Sequence, residues 1–247
     1  MKHLGKSINP KLSWMLSFTV MLIGIAAFSI NRNSSNNQLL TYEVDPKTQN
    51  IQFYWKNENG EIFRSIKNLK TNVESKNKKL VFAMNAGMYR NDNSPQGLFI
   101  QNHKIITPID TTSGNGNFYL KPNGVFYIND NNDAFVCSSS QFAQSKSIKF
   151  ASQSGPMLVV NGEIHPAFKK GSSNVNIRNG VGILKNKKIL FAMSKSEINL
   201  HDFALYFKNS GCEDALYLDG FVSRTYLPEK NWMQTDGNFG VMIGVTQ

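Results

Sequence analysis

The stretch Ala215-Leu216-Tyr217-Leu218-Asp219-Gly220-Phe221-Val222-Ser223-Arg224 is the part of the chain around which the remainder is organised. Ala215 to Leu218 is a short apolar run, typical of a buried strand. The run ends in Asp219-Gly220, a carboxylate followed by the residue that best tolerates a sharp turn. A carboxylate at the end of a rigid strand can reach a cleft, as a catalytic group must, but aspartate is also common as a turn former. The local sequence leaves both roles open for Asp219.

The clearest helix of the chain leads into that strand. Asn199 is a suitable N-cap, and Asp202 follows three residues later in a variant of the capping box. Apolar residues recur at helical spacing on one face of the segment, and Gly211 is placed to end it as the C′ residue. Those apolar residues are Leu200, Phe203, Ala204 and Phe207. The sequence therefore predicts that Asp219 follows a packed helix–strand unit.

A second strand-to-loop junction resembles the first. Leu80 to Met84 is an apolar run followed at once by Asn85-Ala86-Gly87-Met88-Tyr89, so polar side chains again follow a buried strand directly. Further short apolar runs alternate with turns rich in Asn, Gly, Pro and Ser, without an internal repeat or linker. This pattern predicts an α+β fold: a single strand-rich domain over residues 40–247, with a mixed or antiparallel sheet and a few packed helices.

The N-terminal residues predict export. Residues 1–32 contain Lys2, Lys6, Lys11 and Arg32 but no acid, and Leu12 to Ile30 is almost wholly apolar. A basic flank before an apolar run indicates either a cleaved signal peptide or an N-terminal membrane anchor. Residues 33–39 are polar and suit a flexible tether. We expect the body of the protein on the periplasmic or extracellular face, anchored to the inner membrane by residues 12–30 if the segment is not cleaved.

The charge of the chain favours an anionic ligand. The formal net charge is +10, and subtracting the four leader cations from 27 Lys and Arg leaves 23 against 17 acids. A basic body of this kind favours an anionic substrate or an anionic envelope polymer over a neutral one. The basic residues are not interleaved with aromatics, so the sequence predicts no nucleic-acid partner.

The cysteines and histidines indicate no metal site. Cys137 and Cys212 lie in apolar, strand-like surroundings; pairing in an exported protein stays open, and we favour two free thiols. Neither neighbours a histidine or a second cysteine at metal spacing, so we expect no metal and no cofactor. We expect His103, His165 and His201, at turn or helix-start positions, to be surface residues.

Five short motifs occur in a single order along the chain. They are Asn85-Ala86-Gly87-Met88-Tyr89, Lys121-Pro122-Asn123-Gly124-Val125-Phe126, Gly155-Pro156-Met157-Leu158-Val159, Arg178-Asn179-Gly180-Val181-Gly182 and Leu218-Asp219-Gly220. Together they resemble the phosphodiester glycosidase family, which includes the enzyme that removes N-acetylglucosamine from a sugar-1-phosphate diester. Its bacterial members are exported envelope proteins. Many members have a glycine-rich run and a serine after the Asp-Gly pair, whereas this chain has Phe221-Val222 before Ser223.

The resemblance implies hydrolysis of a glycosyl phosphodiester at its anomeric carbon. Positive charge then develops on the sugar and negative charge on the departing phosphate. A phosphate monoester is already a good leaving group, so neutralising its charge with an arginine matters more than protonating it. We therefore expect Arg178 to clamp the phosphate, and Asp219 either to stabilise the oxocarbenium-like centre or to activate water. Asn85 completes the expected catalytic set by bonding to sugar hydroxyls or phosphate oxygens.

Four further residues are expected to bind the substrate. Asn123 bonds to the sugar or phosphate, Tyr89 stacks on the sugar ring, Ser223 supports them, and Arg224 is a second phosphate contact. Each also has a plain structural reading, since asparagine is a common turn former and a strand-end tyrosine is usually packed.

Two other functions stay open at the level of sequence. One is a non-catalytic envelope module of the same fold that binds an anionic glycan. The other is a phosphodiesterase that breaks the P–O bond instead of the bond to the sugar.

Overall fold

The computed structural model describes residues 38–219 and 222–247. The chain divides into two units between residues 39 and 40, and the second unit, residues 40–247, is compact. The predicted signal peptide or anchor over residues 1–32 lies outside the described residues, as does the tether over 33–39 except for its last two residues. Among the described residues, no helix is both long enough and apolar enough to cross a membrane. The second unit is described below.

Most of the regular secondary structure in the second unit is β-strand. The described residues contain two α-helices, α1 (Ile66–Glu74) and α2 (Leu200–Asn209), and two short 3-10 helices, Asn117–Tyr119 and Pro228–Lys230. The strands are β1 (Leu39–Val44), β2 (Asn50–Tyr54), β3 (Leu80–Asn85), β4 (Phe99–Gln101), β5 (Lys104–Thr107), β6 (Gly124–Asn129), β7 (Ala134–Ser138), β8 (Ile148–Ser154), β9 (Met157–Val160), β10 (Glu163–Ile164), β11 (Val175–Asn176), β12 (Asn179–Ile183), β13 (Ile189–Ser194), β14 (Ile198–Asn199), β15 (Ala215–Tyr217), β16 (Thr225–Leu227), β17 (Trp232–Met233) and β18 (Met242–Thr246). The predicted strand-rich domain is confirmed, but its helical share is lower than the predicted α+β fold implies.

The strands form three main antiparallel sheets. A six-stranded sheet has the order β1-β13-β12-β15-β9-β10, one five-stranded sheet has the order β17-β16-β3-β18-β2, and the other has the order β5-β4-β8-β6-β7. Strands β11 and β14 form a separate two-stranded ribbon. Strand β12 pairs with β13 on one side and with β15 on the other. The strand that leads to Asp219 therefore lies inside the six-stranded sheet.

Phenylalanines from all three sheets meet in one core. Phe53 of β2 lies 5.4 Å, between ring centroids, from both Phe126 of β6 and Phe150 of β8. Phe191 of β13 lies 5.1 Å from Phe82 of β3 and 5.9 Å from Phe126. Each of these five rings is almost completely buried, and burying an aromatic ring contributes roughly 1.5–3 kcal/mol. This shared core holds the three sheets together.

Helix α2 begins and ends as the sequence predicts. The Asn199 side chain accepts a hydrogen bond from the Asp202 N–H at 2.9 Å, and its amide donates to the Asp202 carboxylate at 2.8 Å. Phe203 and Phe207 are buried, and Gly211 follows the helix with a φ of +87°. The capped helix packs against β9, beside β15 in the six-stranded sheet. It therefore helps to fix the strand that leads to Asp219.

The state of the two cysteines agrees with the prediction. Cys137 and Cys212 are free thiols, and burial raises their pKa values to about 11 and about 12.

The prediction of a surface His165 is wrong, because this ring is 2% exposed and stacks on Phe168 at 4.7 Å. Its Nδ1 accepts from the Ala167 N–H at 3.1 Å, so the neutral ring donates through Nε2 to the Lys121 carbonyl at 3.0 Å. The position of His165 in a predicted turn gave no indication that its ring is buried.

Candidate functional site

Two buried asparagines join the ends of three strands. Asn85, at the end of β3, and Asn179, at the start of β12, are 1% and 0% exposed. The Asn179 amide donates to the Asn85 main-chain carbonyl at 2.8 Å and to its side-chain Oδ1 at 3.0 Å. Its own Oδ1 accepts from the Asp219 N–H at 2.9 Å. Since an unpaired buried amide is costly, these bonds fix the three segments relative to one another. We call Asn85 and Asn179 the amide pair.

The backbone of Asp219 is held by side chains instead of by a regular strand ladder. Its carbonyl accepts from the Asn85 amide at 2.9 Å and from the Ser223 hydroxyl at 3.2 Å. The preceding carbonyl, that of Leu218, accepts from the buried Ser154 hydroxyl at the end of β8. Asp219 itself is partly exposed. The arrangement holds a carboxylate-bearing residue rigidly at the edge of solvent, as a catalytic group requires.

Arg178 and Asp219 flank the same pair of strands. Gly180 pairs with Tyr217 across the β12–β15 ladder, and the Leu218 N–H donates to the Asn179 carbonyl at 3.1 Å. Arg178 immediately precedes β12, and Asp219 follows β15 by two residues. Because the two strands are antiparallel, both residues lie at the same end of this pair.

The guanidinium of Arg178 is buried without a carboxylate partner. The residue is 1% exposed, and its Nε donates to the Ile198 carbonyl at 2.7 Å. Nη1 donates to the Tyr217 hydroxyl at 3.3 Å, and Nη2 donates to the carbonyl and side-chain oxygens of Asn174 at 2.9 and 3.2 Å. Among the described residues no Asp or Glu forms an ion pair with it. The four hydrogen bonds from this guanidinium thus go to neutral acceptors.

Gly87 permits the close approach of the loop that follows Asn85. A Cβ atom on Gly87 would overlap the Ser152 hydroxyl and would lie 2.6 Å from the Gln153 carbonyl oxygen. Any larger residue would push this loop away from β8. The glycine therefore sets the distance between the end of β3 and the end of β8, on which the position of Asn85 depends.

A cleft of about 320 Å³ is lined in part by Tyr89, whose hydroxyl lies within electrostatic reach of Asp219. Its lining consists of Tyr89, Val222, Arg224, Gly237, Asn238 and Phe239. Burial, and secondarily the negative charge of Asp219, raise the pKa of the Tyr89 hydroxyl, which therefore keeps its proton at neutral pH. Arg224 donates from its main-chain N–H to Asn85 Oδ1 at 2.8 Å. Tyr89 and Arg224 are thus two hydrogen-bond donors on the wall of one cleft.

Asn123 is placed differently from the other predicted site residues. Its amide donates to the Phe118 carbonyl at 2.9 Å, and its Oδ1 accepts from Lys121 Nζ at 3.2 Å. The residue is 1% exposed and follows the cis Lys121–Pro122 bond. Both polar groups of its side chain are thus bonded within the turn, and none of these bonds reaches Asp219 or Arg178.

Asn179 is the member of the site that the predicted residue set leaves out. It lies inside the quoted Arg178-Asn179-Gly180 motif, yet its neighbours Arg178 and Gly180 carry the obvious chemical signals. The one available signal is an amide that opens an otherwise apolar strand, where a polar side chain must find partners. The sequence does not identify those partners, because they belong to β3 and to the residues after β15.

A wider cleft lies at the other end of β12. It has a volume of about 730 Å³ and includes Ile183, the last residue of that strand, together with Phe135 and Asp214. It also includes the β12–β13 turn with Lys185 and Lys187. We call it the hairpin-end cleft. No group of His, Cys, Asp or Glu among the described residues, here or beside Asp219, is arranged to hold a metal ion.

Comparison with known sequences finds one family and a bacterial relative. The model of the family described as phosphodiester glycosidase matches residues 78–246. The uncharacterized protein YigE of Escherichia coli (strain K12) is 35% identical over 222 residues, covering 90% of this chain and 87% of the relative.

Comparison with solved structures finds the same fold at low identity. The catalytic domain of zebrafish N-acetylglucosamine-1-phosphodiester alpha-N-acetylglucosaminidase, auto-inhibited by its pro-peptide, matches with a TM-score of 0.59 at 14% identity over 84% of this chain and 83% of that one. A putative exported protein of Burkholderia pseudomallei matches with a TM-score of 0.56 at 10% identity over 84% and 73%. These likenesses are similarities of fold.

Proposed function

Because the chain belongs to the phosphodiester glycosidase family, we propose that it hydrolyses a glycosyl phosphodiester, specifically the bond between a sugar and the phosphate on its anomeric carbon. The observation that supports this most is Arg178, a buried guanidinium without a carboxylate partner among the described residues, at the same end of the β12–β15 pair as Asp219. A positive charge left in this state favours an anionic ligand over a neutral one.

The proposed reaction replaces the phosphate on the anomeric carbon by water. The bond from that carbon to the phosphate oxygen breaks, and its electron pair leaves with the phosphate monoester. The oxygen of water bonds to the carbon, and its proton passes to Asp219 or to solvent. Asp219 either stabilises the cationic sugar or accepts this proton. Arg178 supplies fixed positive charge against the charge that develops on the leaving group.

The remaining predicted residues divide into two proposed roles. Asn85 acts as a positioning residue, because its amide oxygen already accepts two hydrogen bonds and its nitrogen holds Asp219. Ser223 acts in the same way through the Asp219 carbonyl. Tyr89 lines the cleft and is proposed to contact the substrate. We propose no substrate contact for Asn123, whose side chain is engaged within its own turn.

We propose that the reaction takes place outside the cytoplasm. The basic and apolar residues 1–32 support export, by a signal peptide or by an anchor that keeps the protein on the outer side of the inner membrane. A sugar phosphate or an envelope glycan with glycosyl phosphodiester bonds is the corresponding substrate class.

The test is hydrolysis by the full chain of a panel of sugar-1-phosphate diesters, starting with the methyl diester of N-acetylglucosamine-1-phosphate. We expect Asp219→Asn to lower kcat by about a hundredfold to ten-thousandfold, as for other groups of this kind. The matched control is Asp214→Asn, which changes an aspartate of the hairpin-end cleft and should leave kcat within about twofold. Equal activity of Asp219→Asn and wild type would reject the proposed role of Asp219.

A non-catalytic glycan-binding module is the second candidate. The full engagement of Asn85 and the near-complete engagement of Arg178 with protein atoms favour it, since a purely structural network would look the same. The second function replaces the first if the wild type binds an anionic glycan but hydrolyses no diester on the panel, and if the Asp219→Asn variant binds that glycan with the same affinity as the wild type.

A further inference from the structure

Arg224 is an arginine that solvent can reach. Its side chain is 36% exposed and lines the 320 Å³ cleft, whereas Arg178 is 1% exposed. Its Nε donates to both carboxylate oxygens of Asp236 at 2.9 and 3.0 Å, and its Nη1 donates to the Ser223 carbonyl at 3.0 Å. No protein atom of the described residues accepts a hydrogen bond from Nη2. Two N–H groups of a permanent cation therefore remain for a ligand in this cleft.

Asn85, one member of the amide pair, positions Arg224 relative to Asp219. Asn85 Oδ1 accepts from the Arg224 N–H at 2.8 Å, while the nitrogen of the same amide donates to the Asp219 carbonyl at 2.9 Å. One buried side chain thus fixes both backbones. A cation and a carboxylate that are held in this way keep a defined separation, which a substrate with a charged group next to its reacting carbon requires.

Other donors around the cleft also suit an anion. Tyr89, on the same wall, keeps its proton and can donate a neutral O–H bond. Arg64 Nη1 donates to the side-chain oxygen of Asn238, another lining residue, at 3.3 Å, which adds a second positive charge nearby. Asp236 is the opposing charge, and it occupies the Nε edge of Arg224 instead of its Nη2 group.

We infer that Arg224 binds the phosphate group of the substrate in this cleft and so makes the chain select glycosyl phosphodiesters over uncharged glycosides. The inference rests on the proposed function for its role in hydrolysis. Phosphate oxygens accept N–H bonds from a guanidinium, so the two N–H groups of Nη2, which no atom of the described residues accepts, match the group to be recognised. Arg178 then supplies buried positive charge without touching the phosphate, and Arg224, which solvent can reach, contacts the phosphate directly.

A purely structural Arg224 makes a different prediction. If its task were only to hold the loop around Asp236, then Asp236→Asn would break the same ion pair and would reproduce the effect of Arg224→Gln. If Arg224 binds phosphate, Asp236→Asn removes a competing negative charge and leaves phosphate binding unchanged or tighter.

The experiment measures binding of inorganic phosphate and of N-acetylglucosamine-1-phosphate to the full chain by titration calorimetry. We expect Arg224→Gln to weaken both affinities by at least about tenfold, Arg224→Lys to weaken them less, and Asp236→Asn to leave them equal or tighter. Lys187→Gln, at the hairpin-end cleft, is the control for a general loss of positive charge. The inference is overturned if Arg224→Gln binds within about twofold of wild type, or if Asp236→Asn weakens binding as much as Arg224→Gln does.

Kinetics separates this inference from the proposed function. With the methyl diester of N-acetylglucosamine-1-phosphate and the uncharged p-nitrophenyl glycoside of the same sugar, Arg224→Gln should raise KM for the diester alone. If the wild type hydrolyses neither compound while phosphate binding still depends on Arg224, the proposed reaction fails and the phosphate site stands. If the diester is hydrolysed and Arg224→Gln binds phosphate as tightly as the wild type, the proposed reaction stands and this inference fails.

Discussion

The polar groups at the two ends of β12 find their hydrogen-bond partners in different ways. At the Asn179 end, buried amides, a buried arginine and a buried serine replace the regular ladder. At the Ile183 end, the strand turns back through Leu184 to Lys188, and the polar groups of this turn are exposed or only partly buried. Burying polar groups is costly unless each finds a hydrogen-bond partner. A network of buried polar groups is therefore expected where catalytic or binding groups must be held in fixed positions. This contrast is why we place the site at the smaller cleft and not at the hairpin-end cleft.

Removing the Asn179 amide should have the largest effect on stability. Asn179→Ala leaves the Asp219 N–H and the Asn85 carbonyl without their partners, so we expect the free energy of unfolding to fall by about 3 kcal/mol. Urea denaturation measures this. Asn186→Ala at the hairpin end, where the side chain is exposed and, within the described part of the chain, accepts only from Lys188 N–H, is the control and should cost less than about 1 kcal/mol. Equal losses at both ends would remove the contrast between them.

A methyl group at Gly87 should have the next largest effect. Gly87→Ala places a Cβ atom against the Gln153 carbonyl and the Ser152 hydroxyl, so we expect a loss of about 2 kcal/mol and a displaced Asn85. The free energy of unfolding, measured by urea denaturation, and kcat should fall together. A variant as stable and as active as wild type would show that the close approach of this loop to β8 is not required.

The stability of the protein should depend on pH through His165. Burial lowers the pKa of this ring below its ordinary value near 6.5, so the unfolded chain binds a proton more readily than the folded one. The contribution of the neutral ring is therefore complete above pH 6.5 and is lost as the pH falls through and below that value. Urea denaturation between pH 5 and 8 should show this slope, and His165→Gln should flatten it. An unchanged slope in His165→Gln would assign the pH dependence to other groups.

The smallest expected change is a gain in stability at the hairpin end. Lys187 adopts a φ of +67°, a left-handed conformation that glycine reaches without strain. Lys187→Gly should raise the free energy of unfolding by about 0.5 kcal/mol and leave activity unchanged. A loss of activity in this variant would connect the hairpin end to the reaction, contrary to the division proposed here.

The sequence predicts local structure in this chain better than it predicts the site. Asn199 and Gly211 mark the ends of α2, because a cap and a C′ glycine act within a few residues. The motifs also place Arg178 and Asp219 at the same end of the β12–β15 pair, since one precedes β12 and the other follows β15. The partners of Asn85 and Asn179 could not be predicted, because each bond joins residues far apart in the chain. The prediction for His165 failed for the same reason, since its Nε2 donates to the carbonyl of Lys121 in a distant turn.

The most direct test of the central claim is hydrolysis of a sugar-1-phosphate diester by the full chain in water labelled with oxygen-18. We predict that the label enters the released sugar and not the phosphate, because water is proposed to attack the anomeric carbon beside Asp219. Label found in the phosphate monoester would contradict the account, because the P–O bond would then be the one that breaks.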